Sequence, residues 1–297
     1  MHEVKGIVVG MSGGIYRVRI PDEGVINCSI KGKIKRQEQK GILVGDYVEV
    51  QIADLSSSIE KVNKRRNELI RPAISNVDQA LVVTTARNPH PNFGLMDRIL
   101  ALVEKAKIDP VICINKVDLA IGDDIENILS IYRNTGYRII ELSTKTGIGA
   151  EELKDVLKGK ISVLSGPSGS GKSSIINLIQ PEMDLAVGQL SRKIERGKHT
   201  TREVKLLPLE FGGFVADTPG FSVLELEFEE EVMVQDVFPE IRRYKEECRF
   251  TGCLHHMEPD CRVKEELSLG NISKDRYERY LELMISAKEA RQNMYKR

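Results

Sequence analysis

The chain has 297 residues, 44 of them basic and 44 acidic, and 30% of its side chains are charged. That length exceeds a single small scaffold and fits two or three domains at about 150 residues each. The zero formal net charge excludes a uniformly polycationic nucleic-acid coat, and no apolar run approaches the ~20 residues of a membrane span.

Charge is not spread evenly. Residues 1–70 hold 12 Lys+Arg against 9 Asp+Glu, residues 71–223 hold 19 against 18, and residues 224–297 hold 13 against 17, so the front is mildly basic and the back acidic. Met1-His2-Glu3-Val4-Lys5 leads into alternating sequence and not into the apolar block of a signal peptide, and a cytoplasmic protein is expected.

Up to about residue 68, short alternating runs (Gly6 to Val9, Tyr16 to Ile20, Val25 to Ile30, Tyr47 to Ile52) are punctuated by glycines, the pattern of a small all-β barrel. Between the strands, Lys31 to Lys40 sets five cations against one carboxylate. This is either a solvated loop or a nucleic-acid contact, since small barrels bind oligonucleotides through strand faces and loops.

From Val77 the texture changes to apolar strands alternating with amphipathic helices. Ala80 to Thr84, Val111 to Ile114, Arg138 to Leu142 and Ile161 to Leu164 read as strands. A helix between the first two carries Leu95, Ile99, Leu102, Val103 and Ala106 on one face. Such alternation predicts a doubly wound parallel sheet. Cys28 and Cys113 lie in apolar stretches and are expected in the core.

Asn115-Lys116-Val117-Asp118 ends the second of these strands. A carboxylate at Asp118 can accept from guanine N1–H and the 2-amino group, which adenine does not offer, and a mismatch would leave it unpaired. Ser143-Thr144-Lys145 fits a loop that backs the base. Gly166-Pro167-Ser168-Gly169-Ser170-Gly171-Lys172-Ser173 then matches the phosphate-loop pattern, between a strand and a helical run from Ser174 to Ile179. Its glycines let backbone N–H groups converge on phosphate, Lys172 reaches the β- and γ-phosphates, and Ser173 offers a hydroxyl to Mg²⁺.

Further on, Gly197 to Thr201 can supply a switch threonine, Thr200 or Thr201. Asp217-Thr218-Pro219-Gly220 ends a strand from Phe214 to Ala216, where an outer-shell Mg²⁺ carboxylate and a glycine N–H near the γ-phosphate are needed. The position after Gly220, often a water-orienting glutamine in GTPases, is Phe221, so slow intrinsic hydrolysis is expected.

Three of the five cysteines fall within 14 positions. Cys248, Cys253, His255 and Cys261 would close a tetrahedral shell with no place for water, a structural and not a catalytic zinc site, with His256 as an alternative ligand. Arg242, Arg243, Lys245 and Arg249 nearby form a basic patch. A final helix from about Ser273 to Tyr295 places Tyr277, Tyr280, Leu281, Met284 and Ala287 at helical spacing, a packing stripe.

These are the guanine-nucleotide motifs of small GTPases in rotated order, with the base-reading motif at 115 ahead of the phosphate loop at 166. With a barrel in front and a Cys/His cluster behind, the whole chain resembles the RsgA/YjeQ family of small-subunit-dependent GTPases. The resemblance implies a multidomain protein: an N-terminal OB-like RNA-binding β-barrel (1–68), a central α/β P-loop GTPase domain, circularly permuted (69–223), and a C-terminal helical zinc-binding domain ending in the long helix (224–297). It implies GTP hydrolysis with Mg²⁺ on the small ribosomal subunit and its rRNA in late maturation, favours His255 over His256 at the zinc, and gives His199 a role in positioning the attacking water. A monomer without membrane contact is expected. The rival reading is a GTP-controlled RNA-binding switch acting on a non-ribosomal RNA; a P-loop kinase is disfavoured by Asp118 and Asp217 in their GTPase settings.

Overall fold

In the computed structural model, which describes residues 2–30, 41–53, 56–70, 72–181, 204–217 and 231–294, the alternating front of the chain forms five strands. They are β1 (His2–Ser12), β2 (Ile15–Ile20), β3 (Gly24–Ile30), β4 (Tyr47–Ala53) and β5 (Ser56–Val62). Antiparallel pairs join β1 to β2 and β4, β2 to β3, and β4 to β5, and a parallel β3–β5 pair closes the barrel. Period-two alternation turns Val8, Val18, Ile20, Cys28, Val48, Val50 and Ile59 into one core, each large side chain contributing about 1.5–3 kcal/mol by burial. Strand β5 is not among the four runs the alternation predicts. It is mostly Ser, Glu and Lys, and Ile59 alone in it is fully buried, so its place in the sheet comes from its neighbours.

Two short strands, β6 (Glu68–Leu69) and β7 (Ile74–Ser75), form a small antiparallel ribbon. Buried Asp46 ties it to the barrel: Arg65 Nε and Nη2 donate to its two oxygens at 2.7 and 2.8 Å, and the Ser75 hydroxyl donates at 2.6 Å. This bidentate, fully hydrogen-bonded pair is the geometry in which a buried carboxylate is tolerated.

The α/β elements follow in chain order: β8 (Gln79–Thr85), α1 (Phe93–Lys105), β9 (Asp109–Asn115), α2 (Asp124–Tyr132), β10 (Arg138–Glu141), α3 (Ala150–Leu157), β11 (Ile161–Ser165), α4 (Lys172–Ile179), β12 (Lys205–Pro208) and β13 (Phe214–Asp217). After them come α5 (Pro239–Arg242), α6 (Arg262–Ser268) and α7 (Lys274–Met294). Every residue of β8 and β11 is buried, the signature of strands covered on both faces. Helix α1 begins where the Asn92 side chain accepts from Leu95 N at 3.0 Å. The buried face of α1 is Met96, Asp97, Ile99, Leu100, Ala101 and Val103, so Leu95 and Leu102 of the predicted stripe sit at its margins and Ala106 caps the helix.

The chain divides into two compact units. The first comprises Met1–Ala80, Glu151–Leu164 and Lys172–Phe221. Its strands run in the order β11-β13-β12-β1-β2-β3-β5-β4, with β13 parallel to β11 and antiparallel to β12, and with Lys205 of β12 opposite Gly10 of β1. The second comprises Leu81–Ala150, Ser165–Gly171 and Ser222–Arg297, and orders β10-β9-β8 with β9 and β10 parallel.

Within the second unit, Val234, Phe238, Ile241, Val263, Ile272, Tyr277, Tyr280, Met284 and Ala287 make one core with Ala101 of α1, so the Tyr/Met stripe of α7 is packing, with Leu281 half-buried beside it. That core also holds a buried ionic cluster absent from any sequence expectation: Arg276 of α7 bridges Glu240 of α5 and Asp97 of α1. No helix among the described residues is long and apolar enough to cross a membrane.

Candidate nucleotide cradle and metal centre

Strand β9 delivers Asn115, fully buried, whose Nδ2 donates to Ser170 O at 2.9 Å. The next residue, Lys116, adopts a left-handed conformation (φ 60, ψ 38), and its ammonium donates to the carbonyl of Gly169 at 2.9 Å and to that of Asn88. Val117 N donates to Leu142 O at 3.1 Å, which places the two loops side by side. Asp118 is exposed, and the Ser143 hydroxyl donates to its Oδ1 at 2.6 Å while accepting from Thr146 N at 3.1 Å. Thr144 is half-buried and Lys145 exposed in the same loop. Ser143 therefore orients the carboxylate assigned to base reading, and Asn115 and Lys116 join that motif to the phosphate loop.

Two glycines of the phosphate loop are steric requirements. At Gly166 (φ +139) a Cβ would lie 2.2 Å from Val83 O, and at Gly171 (φ +93) it would lie 2.2 Å from Asn115 Nδ2. Pro167 is half-buried, Ser168 and Gly169 are exposed, and Ser170 is buried. Lys172 opens α4, followed by buried Ser173 and half-buried Ser174. Burial pushes the Lys172 ammonium down to about 8, and the negative charge of an incoming polyphosphate would favour its protonated form. Asn115 Oδ1 and Ser170 Oγ are buried without a hydrogen-bond partner among the described residues, leaving unused polar capacity in the cradle. Asp217 ends β13 as expected. His199, Thr200 and Thr201, with the rest of 197–201, together with Gly220, Phe221 and the basic segment 31–40, lie outside the described residues.

The Cys/His cluster assembles as one site. The ligand atoms of Cys248, Cys253, His255 and Cys261 all lie within 4.8 Å of one another. Cys248 Sγ is 3.8 Å from Cys261 Sγ, and His255 Nδ1 is 3.5 and 3.4 Å from those two sulfurs. A tetrahedral shell with metal–sulfur near 2.3 Å and metal–nitrogen near 2.0–2.1 Å requires about 3.8 and 3.5 Å, so the donor set fits. His256, the alternative ligand, is exposed and outside the cluster.

The His255 backbone is left-handed (φ 57), held by the Tyr277 hydroxyl donating to its carbonyl at 2.5 Å. Nε2 meets Gln235 Oε1 at 2.8 Å, which assigns the ring proton there and leaves the Nδ1 lone pair to the cluster. Burial lowers the imidazole to about 4 and raises the Cys253 thiol to about 12. A cation is thus needed to hold the sulfur as thiolate. Gln235, 20 residues from His255, carried no signal in sequence.

Three of the four cations of the basic patch are compensated locally: Arg242 pairs with Glu104 at 3.0 Å, Lys245 with Asp236 at 2.5 Å and Arg249 with Asp260 at 2.5 Å. Its field is weaker than the sequence count of cations implies.

Comparison with known proteins places these features in a family. The model of the RsgA GTPase matches residues 62–227 and that of the RsgA N-terminal domain residues 5–59. The small ribosomal subunit biogenesis GTPase RsgA of Caldanaerobacter subterraneus subsp. tengcongensis is 44% identical over 297 residues, all of both chains. The protein of the same name from Agathobacter rectalis is 45% identical over 85% of this chain and 84% of its own. The crystal structure of YjeQ from Thermotoga maritima superposes with a TM-score of 0.85 at 38% identity, covering 96% of this chain and 99% of that one. YloQ, described as a circularly permuted GTPase, gives 0.81 at 38% identity over 97% and 96%.

Proposed function

The chain belongs to the RsgA GTPase family, and on that premise we propose that it binds the small ribosomal subunit and hydrolyses GTP there in late subunit maturation, in the cytoplasm and as a monomer. The observation that carries the reading is the Asn115–Ser170 and Lys116–Gly169 contact pair, which makes the base-reading motif and the phosphate loop one cradle. The barrel (1–68) and the zinc-binding domain (224–297) are its RNA-facing parts, and 69–223 is the permuted GTPase domain.

In this reading Asp118 accepts from guanine, with Ser143, Thr144 and Lys145 behind the base. The amides from Gly166 to Ser174 and the Lys172 ammonium bind the phosphates. Ser173, with Asp217 and Thr200 or Thr201, would hold Mg²⁺, which when bound neutralises charge on the β- and γ-oxygens. Water attacks the γ-phosphorus in line as the bond to the β-oxygen breaks, releasing GDP and phosphate. Gly220 N–H and His199 attend the γ-phosphate and the water, since Phe221 cannot. Cys248, Cys253, His255 and Cys261 would hold one structural zinc.

Single-turnover hydrolysis with and without small subunits, paired with sedimentation binding, tests this. Strong stimulation by the subunit, lost in His199→Ala while GTP-form binding persists, is the expected result. Equal stimulation by unrelated RNA would refute the ribosomal assignment in favour of a general RNA switch, and a His199→Ala variant stimulated like the parent would remove the histidine from catalysis.

A further inference from the structure

The turn between β8 and α1 is held by contacts that the nucleotide motifs do not account for. Thr85, buried at the end of β8, donates its hydroxyl to Pro89 O at 2.6 Å. Ala86 N donates to Asn115 O at 2.9 Å, and Arg87 Nε lies 3.0 Å from Asp124 Oδ2 at the start of α2. Inside this clasp Asn88 is left-handed (φ 53), and its carbonyl receives the Lys116 ammonium. The same ammonium reaches Gly169 O, and a Cβ on Gly169 would stand 3.8 Å from Pro89 Cδ, so the turn also borders the phosphate loop.

A lysine on a four-carbon stem is a flexible point charge, and whatever orders it before the ligand arrives reduces the ordering cost of binding. Two carbonyls perform that ordering here. One belongs to the phosphate loop itself; the other is placed by the Thr85 hydroxyl and the Arg87–Asp124 pair.

We propose that Thr85 is a positioning residue for guanine-nucleotide binding, fixing the 85–89 turn so that the Asn88 carbonyl, together with Gly169, holds Lys116 between the base-reading motif and the phosphate loop. The inference rests on the nucleotide-site reading above. It predicts that the turn acts through Lys116, whose ammonium the Asn88 and Gly169 carbonyls hold, and so shows first in nucleotide affinity.

The experiment is titration of the full chain with fluorescent GDP, for Thr85→Val, Thr85→Ser and Arg87→Gln in the parent and in a Lys116→Ala background. Thr85→Val removes one hydrogen bond without changing shape, and a rise in Kd of about fivefold is expected, with Thr85→Ser within about twofold of the parent. Arg87→Gln, on the half-exposed side of the turn, reports on the same clasp if the valine variant fails to fold. In the Lys116→Ala background both should add less than about twofold. Equal losses in the two backgrounds, or no loss in the parent, overturn the proposal. Undiminished GDP binding by Lys116→Ala alone would instead overturn the site reading.

Discussion

Arg276→Met would show how firmly α7 is fastened to α1. The guanidinium donates from Nε and Nη2 to the two oxygens of Glu240 at 2.7 and 3.3 Å and from Nη1 to Asp97 Oδ1 at 2.7 Å. It lies 4.5 Å from the ring centroid of Phe238 and 5.5 Å from that of Tyr132. The two carboxylates would fare differently on its loss. Asp97 keeps Arg279 and the Tyr132 hydroxyl at 2.7 Å, whereas Glu240, equally buried, loses its only ion-pair partner among the described residues. One uncompensated buried carboxylate costs about 3–5 kcal/mol, and at about 2–4 °C per kcal/mol for a unit of this size the melting temperature should fall by roughly 6–20 °C. The double variant Arg276→Met, Glu240→Gln removes the stranded charge and should recover most of that loss, since replacing a whole buried pair is close to neutral. Calorimetric unfolding of the parent, both singles and the double measures the coupling. A single variant within about 1 kcal/mol of the parent, or a double no more stable than the single, would refute the reasoning.

Asp118→Asn should lose two charge-assisted bonds to guanine, weaken GTP binding by about 10²-fold or more and shift preference toward xanthine nucleotide; unchanged guanine preference in competition would remove the base-reading role. Because burial lowers Lys172 to about 8 while a bound polyphosphate keeps it charged, GDP binding should take up a proton above that pH and weaken as pH rises. In the nucleotide-free chain the same shift makes stability rise from about pH 8 toward the ordinary lysine range, where the unfolded chain still holds the proton. Titrations at several pH values check both signs, and Lys172→Ala should flatten the dependence and nearly abolish hydrolysis. Cys261→Ser should release one zinc per chain and loosen 231–294 while GDP binding survives; a metal-free parent that is fully folded would contradict the site.

Much of this architecture is legible in the sequence because its signals are local. The alternation of Tyr16 to Ile20 and the buried run of β11 follow from backbone geometry within a few residues, and the glycines at 166 and 171 from the phosphate-loop spacing. What escapes is long-range or polar. Strand β5 is hydrophilic and takes its conformation from β4 and β3. Arg276 occupies a position that helical periodicity would allow to face the core, but a charged side chain is read as solvated until Asp97, 179 residues away, is seen beside it. Gln235 behind His255 and the Thr85 clasp behind Lys116 likewise depend on contacts no spacing rule anticipates. Of His255 and His256, between which spacing leaves the choice open, the first is buried among the cysteine donors and the second is exposed.

The pairing of Gly10 with Lys205 has a consequence for the order in which the chain is made. When β5 has been synthesised, β1 already has its partners β2 and β4, but its contact with β12 must wait for more than a hundred further residues. At about 5–20 residues per second that interval is on the order of ten seconds. During it the stretch of β1 around Gly10, beyond its pairing with β4, still waits for β12, and an open stretch of strand is a template for stray strands. The register irregularity between Val8 and Gly10 falls beside that waiting position, and local twist of this kind discourages a foreign strand from docking there. The Gly10 stretch of β1 must therefore wait until β12 emerges, and its local geometry suits that delay.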